Sequence, residues 1–475
     1  MKNISDDKLC LPNGNIITFN DEQYIGIKKI LNWLSNNQNN YFTLAGYAGT
    51  GKTTIVKKII DKYSFGTIIS APTHKAKKVI VNKTGMGGAT LQSLLGLRPD
   101  VNLDDFNPND PKFNSIALPK INEYNLVIID EASMINLELF ELIKSKTLNT
   151  RTKVLFIGDP AQIPPIGENE SVVFYDNDID KHWLTKIERQ NIRNPLVLVY
   201  NALRNNLDKP NDCFERFSKI NEYDEGVIFT NDKNFFRKEL IDKFNSIDFK
   251  KNIDYCKLIA WRNQTVLNLN RIIRNELYGK NVDIIEVGDI LMGYRSIIDE
   301  RYNINIIDNG ADYRVVEKSN LETNKYDIKG YNVKLQEVIE NYEYRYVDIF
   351  IVDINDFDNL HLYAELHDFL RYRAKSNKKL WTDYYKFRRN NILLSSITHF
   401  KNGDNRNSHD IISKDMDFGY AITGHKSQGS TYSHAFIMEN DIDANWLVKE
   451  RNQIKYVALT RPSISAIVLT DKINN

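Results

Sequence analysis

Short apolar runs alternate with stretches of helical spacing along the first part of the chain. Residues 41–45 (YFTLA), 67–71 (TIISA), 126–129 (LVII) and 154–157 (VLFI) are β-branched, aliphatic or aromatic at nearly every position, and each ends at a polar or glycine-bearing loop. Such runs predict strands buried on both faces of a parallel sheet, where ligands bind beyond the carboxyl ends of the strands. Residues 55–60 (IVKKII) have the spacing of a helix that packs one face on such a sheet. From about Thr84 to Lys120 the texture changes. Gly85, Gly87, Gly88, Pro99, Pro108, Pro111 and Pro119 stand among Asp and Asn, which predicts a loop-rich insertion able to carry a hairpin.

A second α/β pattern begins near Trp183, with a strand at 257–260 and a helix at 264–277. Residues 291–413 interrupt it. Runs at 312–317, 332–337 and 345–353 alternate or are rich in β-formers, as in a small barrel, and 361–391 reads as one or two basic, aromatic helices. The parallel pattern returns at 419–423, 435–438 and 466–469. The expected fold class is therefore α/β with two sheet-bearing lobes, the second split by an inserted module.

Composition narrows the class. A chain of 475 residues is too long for one core. No stretch approaches the roughly 20 apolar residues that a membrane span needs, and the first residues lack an apolar signal region, so a cytoplasmic protein is expected. Cys10, Cys213 and Cys256 form no paired motif, which argues for reduced thiols and against a zinc site. The formal net charge is +1, so any polyanion-binding surface must be local.

Gly46-Tyr47-Ala48-Gly49-Thr50-Gly51-Lys52-Thr53-Thr54 fits G-x-x-x-x-G-K-[ST] between a predicted strand and a predicted helix. Its glycines let the backbone approach phosphates, and the helix N-terminus supplies N–H donors. Lys52 is then placed for the β- and γ-phosphates of ATP, and the Thr53 hydroxyl for Mg²⁺. The strand 126–129 ends in Asp130 and Glu131. Asp130 is the candidate for the Mg²⁺ shell, and Glu131 for orienting and deprotonating the attacking water. Strand 154–157 leads to Gly158-Asp159-Pro160-Ala161-Gln162, where Gln162 can bond the γ-phosphate or the water.

In order, these and further segments resemble superfamily 1 helicases of the 5′→3′ class, of the Dda type found in tailed bacteriophages and, more distantly, RecD-like enzymes. Residues 19–23 (FNDEQ) resemble the segment whose glutamine, here Gln23, reads adenine. Residues 46–54 match motif I, 71–78 (APTHKAKK) motif Ia, 130–134 (DEASM) motif II and 158–166 (GDPAQIPPI) motif III. Residues 184–190 (LTKIERQ), 422–431 (ITGHKSQGST) and 456–461 (YVALTR) resemble motifs IV, V and VI.

The resemblance implies two RecA-like P-loop lobes with parallel sheets: 1–83 with 121–182, and 183–290 with 412–475. It makes 84–120 a small duplex-splitting pin inserted in lobe one, and 291–411 an SH3-like barrel with a helical hook inserted in lobe two. It implies ATP contacts by Gln23, Gly46, Ala48, Gly49, Thr50, Gly51, Lys52, Thr53, Thr54 and Gly429, and arginine fingers at Arg189 and Arg461. Charge spread over a transferring phosphoryl group calls for such additional cations. Strand contacts are implied at Thr73, His74 and Lys75 on one lobe and His425, Lys426 and Ser427 on the other, with Pro164 and Pro165 packing on a base.

Trp261 follows a strand at a ligand-crevice position and reads equally as base stacking or as core. Phe113 holds the spacing to Pro119 expected of the pin wedge, with Phe106 as rival. The segment 378–389 interleaves aromatics with cations and reads first as an amphipathic packing helix. Gln92 stands where the family's motif Ib has His, and Pro462 where Gly or Ala is usual. The expected protein is an ATP- and Mg²⁺-dependent DNA helicase that moves 5′→3′ on single-stranded DNA and opens forked duplexes. It would be a monomer in the cytoplasm (the host's, if phage-encoded), with replication or single-strand-binding proteins as candidate partners. The rival readings are an ATP-driven nucleic-acid clamp or remodeller, and an RNA helicase.

Overall fold

The computed structural model describes residues 8–10, 16–36, 39–97, 118–188, 194–210, 214–280, 282–299, 304–338, 343–400 and 409–473. It divides into two compact units: Met1–Phe236, Ile259–Trp261 and Thr423–Asn475 form the first, and Arg237–Leu258 with Arg262–Ile422 the second.

The first unit is built on two sheets. One has six strands in the order Gly88–Thr90, Thr67–Ala71, Leu126–Ile129, Lys153–Gly158, Tyr41–Gly46 and Asp180–Leu184, all parallel. Its central strands are buried on both faces, as their unbroken apolar sequences require. One face is covered by helices Asp21–Ser35 and Lys52–Lys62, with Ile27, Ile30, Val56 and Ile59 in the core; the other carries Leu139, Phe140 and Ile143 of helix Leu137–Thr147. Because the strands run the same way, the loops after Gly46, Ala71, Ile129 and Gly158 all leave from one edge. The second sheet includes the strands Tyr432–Met438, Pro462–Leu469 and Gly226–Thr230, paired in parallel, with Lys219–Ile220 antiparallel at the edge.

Two expected boundaries move. Strand Asp180–Leu184 pairs with the phosphate-loop strand (Leu184 opposite Gly46), so the first sheet runs past the break expected at Trp183. Gly88–Thr90 also joins this sheet, and Leu91, Leu94, Leu95 and Leu97 lie in its core, so the start of the segment assigned to the pin belongs to the sheet. Glycine and proline density marked the change of texture, but apolar pairing claimed its first part. Phe106 and Phe113 lie outside the described residues.

The second unit holds an antiparallel sheet in the order Glu322–Thr323, Lys329–Val338, Asp312–Lys318, Ile290–Gly293 and Met416–Phe418, with Tyr344–Val352 also paired to Lys329–Val338. Helices Phe357–Ser376 and Trp381–Arg389 pack through Tyr363 and Phe387, whose ring centroids are 5.1 Å apart. The basic aromatic segment therefore spends its rings on packing: Phe387 is buried, Trp381, Tyr384 and Tyr385 contact one another, and Arg388 is buried against Asp415 at 2.6 Å. No helix among the described residues is long and apolar enough to cross a membrane.

Candidate functional site

The loop after Gly46 turns through Gly49 and Gly51, both in the left-handed backbone region at φ 83° and 84°, which costs a side-chain-bearing residue strain. Gly51 precedes helix Lys52–Lys62 and gives it no side-chain cap, while the Thr54 N–H donates back to Gly51 O at 2.9 Å. The loop braces itself: Thr50 Oγ1 donates to Tyr47 O at 2.8 Å, and Lys52 Nζ donates to the carbonyls of Gly46 and Tyr47 at 2.5 and 3.0 Å. The ammonium thus lies folded over the cradle that a phosphate would fill.

Ala48, Gly49, Lys52 and Thr53 line a cleft with Asp130, Glu131, Asp159, Gln162, Gly429, Ser430, Thr460 and Arg461. Asp130 N donates to Ser70 O at 2.9 Å, fixing the end of its strand, and Glu131 takes a left-handed conformation at φ 54°. A non-glycine residue in that region stores strain that the surroundings must hold. Burial, followed by the neighbouring Asp130 charge, pushes the Glu131 carboxyl up to about 7, against the pull of Arg461 and Lys52. Burial also raises Asp130.

Asp159 is fully buried, with Oδ1 accepting from Ala161 N at 2.9 Å and Oδ2 from the Tyr456 hydroxyl at 2.7 Å. Gln162 Oε1 and Ser430 Oγ are buried, line the cleft and have no hydrogen-bond partner. Buried polar atoms left unpaired are costly, so these two have hydrogen-bonding capacity that the protein itself does not use.

The far wall comes from the C-terminal segment. Gly429, at φ 69°, lies so close to helix His74–Thr84 that a Cβ there would meet Ala76 Cβ at 2.7 Å. Gln428 Nε2 donates to Ile163 O, and Gln453 Nε2 to Gln162 O, each at 3.0 Å. Arg461 is buried and aimed by carbonyls: Nε donates to Val457 O at 3.1 Å and Nη1 to Ser430 O at 3.2 Å. The structure thus brings together Lys52, Thr53, Asp130, Glu131, Gln162, Gly429 and Arg461. It adds Ser430, Gln428, Gln453 and Tyr456. Gln428, Ser430 and Tyr456 lie within the motif strings, but their types gave no reason to single them out. Gln453 lies outside them.

Other expected residues have local employment. Gln23 forms a capping box with Asn20 and donates through Nε2 to Thr50 O at 3.0 Å, so its amide braces the loop. Arg189 lies outside the described residues; its neighbour Glu188 donates its backbone N–H to Gly49 O at 2.9 Å. Thr73 caps helix His74–Thr84, with Oγ1 accepting from Ala76 N. Lys75 Nζ donates to the Tyr432 hydroxyl at 3.1 Å, and His74 is half-buried.

Pro165 is buried, so the apolar surface expected there falls to half-buried Pro164 and exposed Ile166. Trp261 is half-buried and its backbone N–H donates to Asp441 at 2.8 Å. Burial lowers the His425 pKa, which leaves the ring neutral near pH 7. Ser427 is buried and donates to Gly424 O at 2.7 Å, while Lys426 is half-buried.

The donor set fits Mg²⁺ held with phosphates. Thr53 and Asp130 offer hard oxygens, while among the described residues no group of three or more His, Cys, Asp or Glu could hold a metal. A small cation that keeps waters and shares phosphate oxygens needs only one or two protein ligands.

Residues 18–224 match the family model of an AAA domain, and residues 418–469 that of a UvrD-like helicase C-terminal domain. The ATP-dependent DNA helicase dda of Enterobacteria phage T4 is 27% identical, over 89% of this chain and 92% of that protein. The ATP-dependent DNA helicase Pif1 of Campylobacter jejuni is 24% identical, over 91% of this chain and 89% of its own. Among solved structures, the Pif1 helicase from Bacteroides in complex with ADP-AlF3 and ssDNA aligns with a TM-score of 0.53 at 19% identity, covering 95% of this chain and 92% of that one. At that identity the likeness is one of fold.

Proposed function

We propose, from the premise that this chain belongs to the superfamily 1 helicases, that it is an ATP-dependent DNA helicase that moves 5′→3′ along single-stranded DNA and unwinds duplexes. The observation that carries the ATPase reading is the cleft itself. A phosphate loop, a strained Glu131 with its carboxyl pushed up to about 7, and Arg461 from a distant segment line one space together with Gln162 and Ser430.

The residues have distinct work. Lys52 exchanges its loop carbonyls for phosphate oxygens, and the open helix start supplies N–H donors. Thr53 and Asp130 would hold Mg²⁺, which when bound supplies positive charge to the β- and γ-phosphate oxygens. Glu131, with a pKa near the working pH, accepts a proton from the attacking water. Gln162 orients that water or the γ-phosphate through Oε1, and Ser430 offers a further polar contact. Arg461 stabilises charge that develops in the transition state, with Arg189 as its candidate companion.

The lobe assignment follows the motif order: 1–83 with 121–182, and 183–290 with 412–475, the first extended to Leu184 by its last strand. The antiparallel sheet and packed helices of the second unit support an SH3-like module with a hook at 291–411. The pin is assigned to 84–120, narrowed by the strand Gly88–Thr90, with Phe113 as its wedge. The strand contacts are assigned to His74, Lys75, Pro164, Trp261 and the turn His425–Ser427, with Thr73 acting by capping its helix. Single-stranded and forked DNA are the proposed partners.

Unwinding of 5′-tailed against 3′-tailed duplexes, in DNA and in RNA, tests the function. ATP-dependent opening of 5′-tailed DNA alone is the expected result. DNA-stimulated hydrolysis without opening of any substrate would replace this reading with an ATP-driven clamp.

A further inference from the structure

Helix Val448–Thr460 carries a residue outside the work assigned above. Tyr456 is fully buried and is not among the residues lining the cleft, yet its hydroxyl joins two segments that are. It donates to Asp159 Oδ2 at 2.7 Å and accepts from the Ala48 backbone N–H at 3.2 Å. Ala48 lies inside the phosphate loop. Asp159 begins the turn that presents Gln162, and its other oxygen pins that turn at Ala161 N.

Three residues earlier, and so on the same helix face, Gln453 holds the Gln162 carbonyl. Five residues later, Arg461 reaches the cleft. Helix Leu196–Arg204 backs this arrangement: the Tyr200 ring stands edge-on to Tyr456 at 6.3 Å, and the Arg204 guanidinium lies over the ring of Tyr47, the loop residue before Ala48, at 4.0 Å.

The geometry points to Tyr456 as a positioning residue for hydrolysis: its hydroxyl locks the phosphate loop and the Gln162 turn to the helix that leads to Arg461. The inference rests on the ATPase reading and deepens it. The Tyr456–Asp159 bond has a carboxylate acceptor, which makes it stronger than a neutral pair, and both of its ends are buried. Without the hydroxyl, a carboxylate oxygen and a loop N–H lose their partner, and loop and turn no longer share a fixed register.

Tyr456→Phe in the full chain removes the hydroxyl and keeps the ring that packs on Tyr200. Steady-state ATPase with saturating single-stranded DNA, single-strand affinity and Tm are measured together. The expected result is a fall in kcat of about 10- to 100-fold, the scale of a 1 Å misplacement, with KM for ATP and strand affinity within about threefold of the parent. Unchanged kcat overturns the inference. So does a lowered Tm with normal kcat at temperatures where the variant is folded, because the hydroxyl is then structural only.

If Tyr456→Phe does not fold, Asp159→Asn weakens the same bond instead by removing the charge of its acceptor. A kcat loss at constant KM supports the inference, and normal kcat overturns it. Absence of hydrolysis by the unaltered chain would be seen first, and would overturn the function reading and this inference with it.

Discussion

Replacing Glu131 by glutamine separates catalysis from stability. In the folded chain, burial and the Asp130 charge raise this carboxyl from 4.5 to about 7. Between those values the native carboxyl keeps its proton while the unfolded one has lost it. Stability therefore falls as pH rises through this window, and the loss is complete above about 7. A difference of about 2.5 units at 1.36 kcal/mol each gives a penalty on the order of 3 kcal/mol at pH 8.5, shrinking to under about 1 kcal/mol at pH 5.

Glu131→Gln keeps shape and removes the charge, so the nucleotide-free variant should melt higher than the parent at pH 8.5 and almost with it at pH 5. Its DNA-stimulated ATPase should fall by about 10²- to 10⁴-fold, the usual contribution of a general base. The assays are thermal melting across pH and steady-state hydrolysis. Turnover within tenfold of the parent would refute the base assignment. A melting difference that does not grow with pH would refute the argument from burial.

Lys52→Ala should abolish hydrolysis in a phosphate-release assay while single-strand affinity stays near that of the parent, since the ammonium lies within the phosphate loop. Gly429→Ala forces a side chain into the left-handed region, at about 1–2 kcal/mol, and against Ala76; both Tm and ATPase should fall. Glu439, held down to about 2 by Arg216 and Lys455, is buried with both, its Oε1 2.7 Å from each. Glu439→Gln takes the carboxylate charge from buried Arg216, while Lys455 keeps Asp443 at 2.5 Å, and should cost about 3–5 kcal/mol in denaturant unfolding. In the parent the stabilisation from this carboxylate is complete above pH 4.5 and is lost as pH falls through about 2.

The apolar pattern of the sequence specified the parallel sheet, and its motifs named the side chains gathered at the sheet's edge. Strands Thr67–Ala71 and Leu126–Ile129 begin and end where the runs do, because strands buried on both faces carry few polar residues and no charged ones. Gly46–Thr54, Asp130, Glu131 and Gln162 were legible because each follows such a strand, and parallel strands deliver their loops to one edge. The second unit's helices Phe357–Ser376 and Trp381–Arg389 were legible as a basic aromatic segment, with packing as the first reading of its rings.

Pairing and long-range contact were decided only by the tertiary structure. Gly88–Thr90 reads as loop because Gly85, Gly87 and Gly88 crowd its start, and only its hydrogen bonds to Thr67–Ala71 make it a strand. The Gln23 amide braces Thr50 O, a partner that no local spacing announces. Tyr456 bonds Ala48 across 408 residues of chain. A phenol read from its own helix carries no sign of its acceptor; the acceptor exists only once folding has buried Asp159 beside it.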